Sequence, residues 1–95
     1  MATLSDDEIK AGLAELPGWD RDGDTIAKDY RRDGFAGAIA FVVRLSYAAE
    51  AANHHPDLDI RYDKVRVALS THSEGGVTAK DLQLARAIED LAPGR

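Results

Sequence analysis

The sequence predicts an α+β fold in which a four-stranded antiparallel sheet carries its helices on one face. Three observations support this class. Three segments space their apolar residues as amphipathic helices do, four short segments are typical of β-strands, and tight turn signals join the strands in pairs. The predicted order is α-β-β-α-β-β-α. With 95 residues, 44% of them hydrophobic, the chain is expected to form one domain over residues 1–95.

The first helix is expected to begin after Ser5, which is a favoured N-cap residue, and to end at Pro17-Gly18. Its apolar positions are Ile9, Leu13 and Leu16. Two short strands should follow, at Trp19–Arg21 and Thr25–Tyr30. Residues 22–24 between them contain an Asp-Gly pair, and this pair between two extended segments is typical of a β-hairpin.

The central helix is predicted over Phe35–Ala52. At 100° per residue its apolar side chains cover an arc of about 220°, wider than one packed face requires, and Arg44 marks the clearest solvent side. A helix this apolar in so small a protein should pack on its own sheet and on another subunit. We therefore expect a homodimer or homotetramer assembled through residues 35–52 and the sheet edges. Because Arg44 and Glu50 interrupt the apolar segment, we expect no membrane span.

The second half of the chain predicts two more strands and a last helix. Asn53–Pro56 should end the central helix, because the residue before a proline is disfavoured in the α region. Leu58–Tyr62 alternates apolar and polar residues as a half-buried strand does. The buried face of the next strand is expected to carry Val65, Val67, Leu69 and Thr71. Thr78 should start the last helix, whose expected core side consists of Leu82, Ala85, Ile88, Leu91 and Ala92.

The composition argues against several classes of function. A formal net charge of −5 and a pI of about 5.0 argue against direct binding of nucleic acid. The absence of cysteine excludes disulfides and zinc–thiolate sites. Residues 1–10 are acidic and lack an apolar stretch, so we expect no signal peptide and a cytoplasmic location.

The polar residues with the strongest functional pattern are three histidines and two carboxylates, namely Glu50, His54, His55, His72 and Asp81. Imidazole changes its charge near physiological pH, so histidines beside carboxylates indicate proton transfer. Glu50 and His54 are four positions apart on a helix and should be neighbours, either as a surface ion pair or as part of a site. His72 ends a strand, where scaffolds often present functional groups, although a solvent-facing polar residue is the simpler interpretation.

Two of these residues also allow other interpretations. Asp81 forms with Thr78 the T-x-x-D pattern of a capping box, a structural role that is compatible with facing a site. His54 and His55 are consecutive and should point in different directions, which makes them poor ligands of one metal ion but suitable walls of a cleft. The sequence also lacks an H-E-x-x-H helix. We therefore expect no metal site.

The spacing of these residues resembles the signature of the pterin-4a-carbinolamine dehydratase family. Its central part is Glu50-x-x-x-His54-His55-Pro56, and Tyr62, His72 and Asp81 follow at the family's spacing. Leu16–Trp19, the central helix and the segment from Leu69 to Leu82 are similar as well. The resemblance thus covers most of the chain, and its combined spacing is far more specific than a His-His-Pro motif alone.

The resemblance implies a lyase that dehydrates 4a-hydroxytetrahydropterin to the quinonoid dihydropterin. This reaction recycles tetrahydrobiopterin, the cofactor of aromatic amino acid hydroxylases. The resemblance also implies that His54, His55 and His72 line the pterin pocket as catalytic residues. The carboxylates of Glu50 and Asp81 should support them, and no metal or organic cofactor should take part. On this basis we expect His54 and His72 to exchange protons, His55 mainly to bind the pterin, and Glu50 to orient or charge His54.

Two other functions are suggested by relatives of this family. Some resemble dimerisation cofactors that bind a transcription factor, which would make the chain an interaction module. Some bacterial relatives suggest pterin binding in molybdenum-cofactor metabolism. The clustered polar residues favour the enzyme, because a scaffold has no physical need for grouped imidazoles.

The chain departs from several relatives of the family at two positions. Those relatives carry an aromatic residue where this chain has Leu58 and an asparagine where it has Asp63, so any ring stacking at Leu58 is lost.

Overall fold

The computed structural model describes residues 2–94, which contain three α-helices and four β-strands. In chain order these elements are α1 (Asp6–Leu13), β1 (Asp20–Asp22), β2 (Thr25–Arg31), α2 (Gly34–Ala52), β3 (Asp57–Arg61), β4 (Lys64–Leu69) and α3 (Ala79–Leu91). Short 3-10 turns follow β4 and α3, at His72–Glu74 and Ala92–Gly94. The predicted α+β class and the predicted element order are confirmed.

The strands form one antiparallel sheet in the order β1-β2-β4-β3. β1 and β2 are joined by the predicted hairpin, in which Gly23 has a φ of 61°, a backbone region that favours glycine. Burial alternates along β4, and along β2 it does so apart from Ala27, which is buried next to Ile26. Ile26 and Val65 are fully buried, whereas Asp29 and Arg66 on the opposite face are exposed and form a hydrogen bond of 3.2 Å. One face of the sheet therefore carries the core.

The central helix supplies much of this core. α2 buries Ala38, Phe41, Leu45 and Ala49, which are three or four positions apart. The ring of Phe41 lies 4.8 Å from that of Tyr30 on β2. Length and composition alone would also allow α2 to cross a membrane, so the interruptions by Arg44 and Glu50 do not decide that question. The buried residues of α2 belong to the same hydrophobic cluster as the sheet.

The outer side of α2 is apolar, and residues 2–94 leave it uncovered. The residues Phe35, Ile39, Val43 and Tyr47, here called the outer stripe, follow one another at four-residue steps and are 55, 38, 50 and 73% exposed. The prediction that Arg44 marks the clearest solvent side was wrong. Arg44 is only partly exposed, and its guanidinium lies 5.8 Å from the Phe41 ring, because an arginine can lay its stem along apolar surface.

A polar cluster attaches α3 to the β1–β2 hairpin. The Glu89 carboxylate accepts hydrogen bonds from Trp19 Nε1 at 3.3 Å, from Lys28 Nζ at 2.7 Å and from the Tyr30 hydroxyl. Burial raises the pKa of Glu89, but the bonds from Lys28 and Tyr30 outweigh burial and hold this pKa below its ordinary value. Burial and the neighbouring carboxylate raise the pKa of Tyr30, so its hydroxyl stays protonated and donates.

Most element ends lie within one residue of the sequence prediction, and two differ from it by more than that. α1 ends at Leu13 rather than at Pro17-Gly18, because the chain turns over residues 14–18 and this turn places Leu16 in the core. β4 ends at Leu69. Thr71 lies outside the strand because it forms an isolated bridge with Gly76, so the chain leaves the sheet before His72.

The buried side of α3 also differs from the prediction. Leu82 and Leu91 are only partly buried, and the buried positions of the helix are Asp81, Leu84, Ala85 and Ile88. The apolar spacing could not reveal this orientation, because a carboxylate occupies one of the inward positions. Tyr62, predicted on a strand, lies in the turn after β3 with a φ of 52° and is exposed.

Candidate active site

The end of α2 separates the two consecutive histidines. α2 stops at Ala52, and Asn53 adopts a left-handed backbone conformation with a φ of 48°. The backbone N–H of His54 then donates to the carbonyl of Ala49 at 3.1 Å. His54 is buried, with 8% of its surface exposed, whereas His55 is exposed. The two imidazoles therefore lie in different environments.

A buried carboxylate holds His54. Its Nε2 lies 2.5 Å from Oδ1 of Asp81, which is 27 positions later in the chain and fully buried. The other oxygen of Asp81 accepts hydrogen bonds from the Thr78 backbone N–H at 2.8 Å and from the Thr71 hydroxyl at 2.9 Å. The bond from Thr78 belongs to the predicted capping box, so Asp81 both caps α3 and orients His54.

Glu50 pairs with His55 and not with His54, so this part of the prediction was wrong. Oε2 of Glu50 lies 2.6 Å from Nε2 of His55, and both side chains are exposed. The four-residue spacing from Glu50 to His54 produces a neighbour only while the helix continues. Asn53 ends the helix first, so His54 turns inward to Asp81 and His55 takes the position beside Glu50.

The three histidines line one open cavity. His72 lies at the start of the 3-10 turn after β4 and is exposed. Together with His54 and His55 it lines a cavity of about 320 Å³. The other lining residues are Asn53, Ser70, Thr71, Ser73 and Lys80. Glu50 and Asp81 contact the histidines but do not belong to the lining, so the carboxylates support the imidazoles from outside the cavity.

The cavity contains groups that the sequence reasoning did not single out. Ser70 lies two positions before His72, Ser73 directly follows His72, and Lys80 directly precedes Asp81. A position within two residues of a predicted site residue was the available signal for each of them. Thr71 was expected only as a core-facing residue of a strand, and its hydroxyl instead hydrogen-bonds both Asp81 and Thr78.

The histidine–carboxylate pairs suit proton transfer. Within residues 2–94, Nδ1 of His54 and Nδ1 of His55 make no hydrogen bond, while Nε2 of each ring is engaged by a carboxylate. A carboxylate on one ring nitrogen stabilises the imidazolium and fixes the orientation of the ring. The other nitrogen is then available to a bound molecule as donor or acceptor. Residues 2–94 contain no group of three or more His, Asp or Glu side chains arranged to hold a metal ion.

Three imidazoles surround one cavity and two of them are paired with carboxylates, an arrangement that suits general acid–base chemistry. The family follows from comparison with known proteins. The sequence model described as Pterin 4 alpha carbinolamine dehydratase matches residues 2–91, and the chain belongs to this family of hydro-lyases. The resemblance noted in the sequence is thereby confirmed.

Similar proteins cover nearly the whole chain. A Roseiflexus castenholzii protein provisionally named pterin-4-alpha-carbinolamine dehydratase is 50% identical over 90 residues, which are 95% of this chain and 97% of that relative. A Mycobacteroides abscessus protein with the same provisional name is 52% identical over 89 residues, which are 94% of this chain and 95% of the relative.

Solved structures agree with the fold. The structure described as a transcriptional coactivator/pterin dehydratase from Brucella melitensis matches with a TM-score of 0.90 and 33% identity, covering 95% of this chain and 98% of that chain. A pterin dehydratase-like protein identified as a RuBisCO assembly factor in the alpha-carboxysome matches with a TM-score of 0.64 and 17% identity, covering 78% and 86% of the two chains. The second similarity concerns the fold alone.

Proposed function

We propose that this protein dehydrates 4a-hydroxytetrahydropterin to the quinonoid dihydropterin by histidine acid–base catalysis, and that it serves the recycling of tetrahydrobiopterin. The observation that carries this proposal is the single cavity lined by His54, His55 and His72. Membership of the family supports the substrate class, and the two histidine–carboxylate pairs support the type of chemistry.

The reaction needs two proton transfers. One proton must reach the hydroxyl that leaves C4a, and one must leave a ring nitrogen so that the new C=N bond is neutral. His54 and His72 perform these transfers, and Asp81 supports His54 by stabilising its charged form. His55 binds the pterin. Its partner Glu50 orients His55, in place of the His54 role expected from the sequence.

The test is the dehydration of a synthetic carbinolamine, with the uncatalysed rate in buffer subtracted. His54→Ala and His72→Ala should each lower kcat/KM by about 10²–10⁴-fold, as the loss of a proton-transfer group does. Ser73→Ala is the matched control, because Ser73 lines the same cavity without a proton role, and its activity should stay close to that of the unmodified protein. Unchanged turnover in both histidine variants would overturn the assignment.

The recycling role has a separate test. A pterin-dependent aromatic amino acid hydroxylase is supplied with a limiting amount of tetrahydropterin and a reductase for the quinonoid product. Adding this protein should increase the number of hydroxylation cycles, and adding His54→Ala should not. Equal product with and without the protein would contradict the recycling role.

We also propose that the protein is located in the cytoplasm, and cell fractionation tests this location.

The outer stripe of α2 supports assembly with a second copy of the chain. Burying the exposed part of one such side chain contributes about 1 kcal/mol, and the stripe has four of them. We propose a homodimer or homotetramer formed through α2 and the sheet edges. Light scattering should show a multiple of the 10.3 kDa chain mass, and Val43→Glu should reduce it while Lys64→Glu on the open sheet face should not. A monomeric mass at micromolar concentration would overturn the proposed homo-oligomer and favour a different protein as the binding partner of the outer stripe.

A further inference from the structure

One positively charged side chain that lines the histidine cavity has no part in the proposed proton transfers. Lys80, in the first turn of α3, lines this cavity and is partly exposed. It also lines a neighbouring groove of about 370 Å³ whose other walls are mainly small and apolar side chains of α2 and α3. Lys80 therefore forms part of the boundary between the polar cavity and the apolar groove.

The ammonium group of Lys80 is available to a ligand. Within residues 2–94 it makes no hydrogen bond or ion pair, and only the backbone N–H of Lys80 is engaged, by Thr78 Oγ1. The two carboxylates of the site are already in use. Asp81 accepts three hydrogen bonds, one of them from His54, and Glu50 is paired with His55. A molecule bound in the cavity can therefore supply an oxygen acceptor to Lys80 in place of water.

Local structure does not favour a cation at this position. Lys80 is the second residue of α3, where the helix dipole is positive and acidic side chains are preferred. The adjacent Asp81 follows that preference, but Lys80 opposes it. A bound oxygen atom would offset this electrostatic cost, because it would bring a negative partial charge to the start of the helix.

We propose that Lys80 binds the substrate by donating a hydrogen bond to the carbonyl oxygen at C4 of the pterin ring, an inference that rests on the proposed dehydratase function. The hydroxyl to be removed is attached to C4a, which is bonded directly to C4. When the histidines reach the C4a hydroxyl, the C4 carbonyl lies in the same part of the cavity. Lys80 is the side chain of permanent positive charge in the cavity lining.

This position predicts a binding role and no acceleration of the chemical step. When the hydroxyl leaves as water, positive charge develops at C4a and its neighbouring nitrogen until the ring proton is removed. A fixed ammonium near C4 does not stabilise that charge. Its hydrogen bond to the C4 oxygen forms in the ground state and gains no strength in the transition state, so it lowers KM without raising kcat.

The test compares Lys80→Met with Lys64→Met, which removes the same charge from the open sheet face. Lys80→Met should raise KM roughly 10- to 100-fold, the loss expected for a hydrogen bond from a charged donor, with kcat within about threefold of the unmodified protein. Lys80→Arg should recover most of the affinity, and Lys64→Met should change neither constant. An unchanged KM in Lys80→Met, or a fall confined to kcat, would overturn the proposal.

Equilibrium binding separates this inference from the dehydratase function. Dihydrobiopterin keeps the C4 carbonyl, whereas 2,4-diamino-6-methylpteridine carries an amino group there. Lys80→Met should weaken only the first ligand, by the same factor as KM, even if the protein proves inactive as a dehydratase. An equal loss for both ligands, or no loss for either, would overturn the contact with the C4 oxygen. A protein that binds neither pterin would overturn both proposals.

Discussion

Replacing Asp81 with asparagine removes a negative charge from a fully buried position and keeps the shape of the side chain. The amide oxygen can still accept from the Thr78 N–H and the Thr71 hydroxyl, which lie 2.8 and 2.9 Å from Oδ2. The amide nitrogen then faces Nε2 of His54, which is 2.5 Å from Oδ1 in the native protein. Because both groups would be donors, the imidazole must change its tautomer or turn away.

The expected losses follow from this geometry. The charge-assisted hydrogen bond to His54 is lost and the other two become hydrogen bonds to a neutral amide, so the free energy of unfolding should fall by about 1.5–3 kcal/mol. For a domain of this size, each kcal/mol corresponds to a drop in Tm of about 4–8 °C. Dehydration should slow by about 10²–10⁴-fold, because His54 loses the carboxylate that supports its charged form.

The assay measures urea unfolding and carbinolamine dehydration on the same preparations, with Glu50→Gln as the matched carboxylate control. The side chain of Glu50 is 74% exposed, and exposed ion pairs contribute only about 0–1 kcal/mol. Glu50→Gln should therefore change stability little. If Asp81→Asn were no less stable than Glu50→Gln and equally active, the role assigned to the buried pair would be refuted.

Two further predictions concern other parts of the fold. Glu89→Gln should lower the free energy of unfolding at neutral pH by about 1–2 kcal/mol, because three donors lose their charged acceptor. The pKa of Glu89 is lower in the folded protein than its ordinary 4.5, so this stabilisation is present above about pH 4.5 and is lost as the pH falls through the folded value. Urea unfolding of the two proteins should converge on acidification, and a constant difference would contradict the network. Asn53→Gly should leave Tm unchanged, since a φ of 48° suits glycine. Asn53→Ala should lower the free energy of unfolding by about 1 kcal/mol, and it should lower activity by displacing His54. Equal Tm values for these two variants would count against a role of Asn53 in ending α2.

The parts of the fold that depend on local sequence could be predicted. The Asp-Gly hairpin and the Thr78–Asp81 capping box follow from backbone preferences that act within four residues, and both are present. The alternating pattern of Val65 and Val67 likewise predicted the buried face of β4. The five residues chosen for the site lie in or directly behind one cavity. They could be chosen from the sequence because their spacing resembles a family signature.

The pairing of histidines with carboxylates could not be predicted in the same way. It depends on the residue at which α2 ends, and Asn53 shifts the partner of Glu50 from His54 to His55. The contact of His54 with Asp81 depends on the packing of α3 against α2, which the spacing of apolar residues did not orient correctly. Lys80 escaped notice because a lysine in a helix is normally a solvated residue.

The Asp81 carboxylate couples the formation of the acid–base centre to the docking of the C-terminal helix. The same two oxygens close the first turn of α3, hold the chain leaving β4 and restrain an imidazole at the end of α2. Loss of any one of these attachments weakens the other two, so the three segments should open as one cooperative unit. A pterin that binds only the closed arrangement would then protect amide protons along the last helix from exchange, including those that it does not touch.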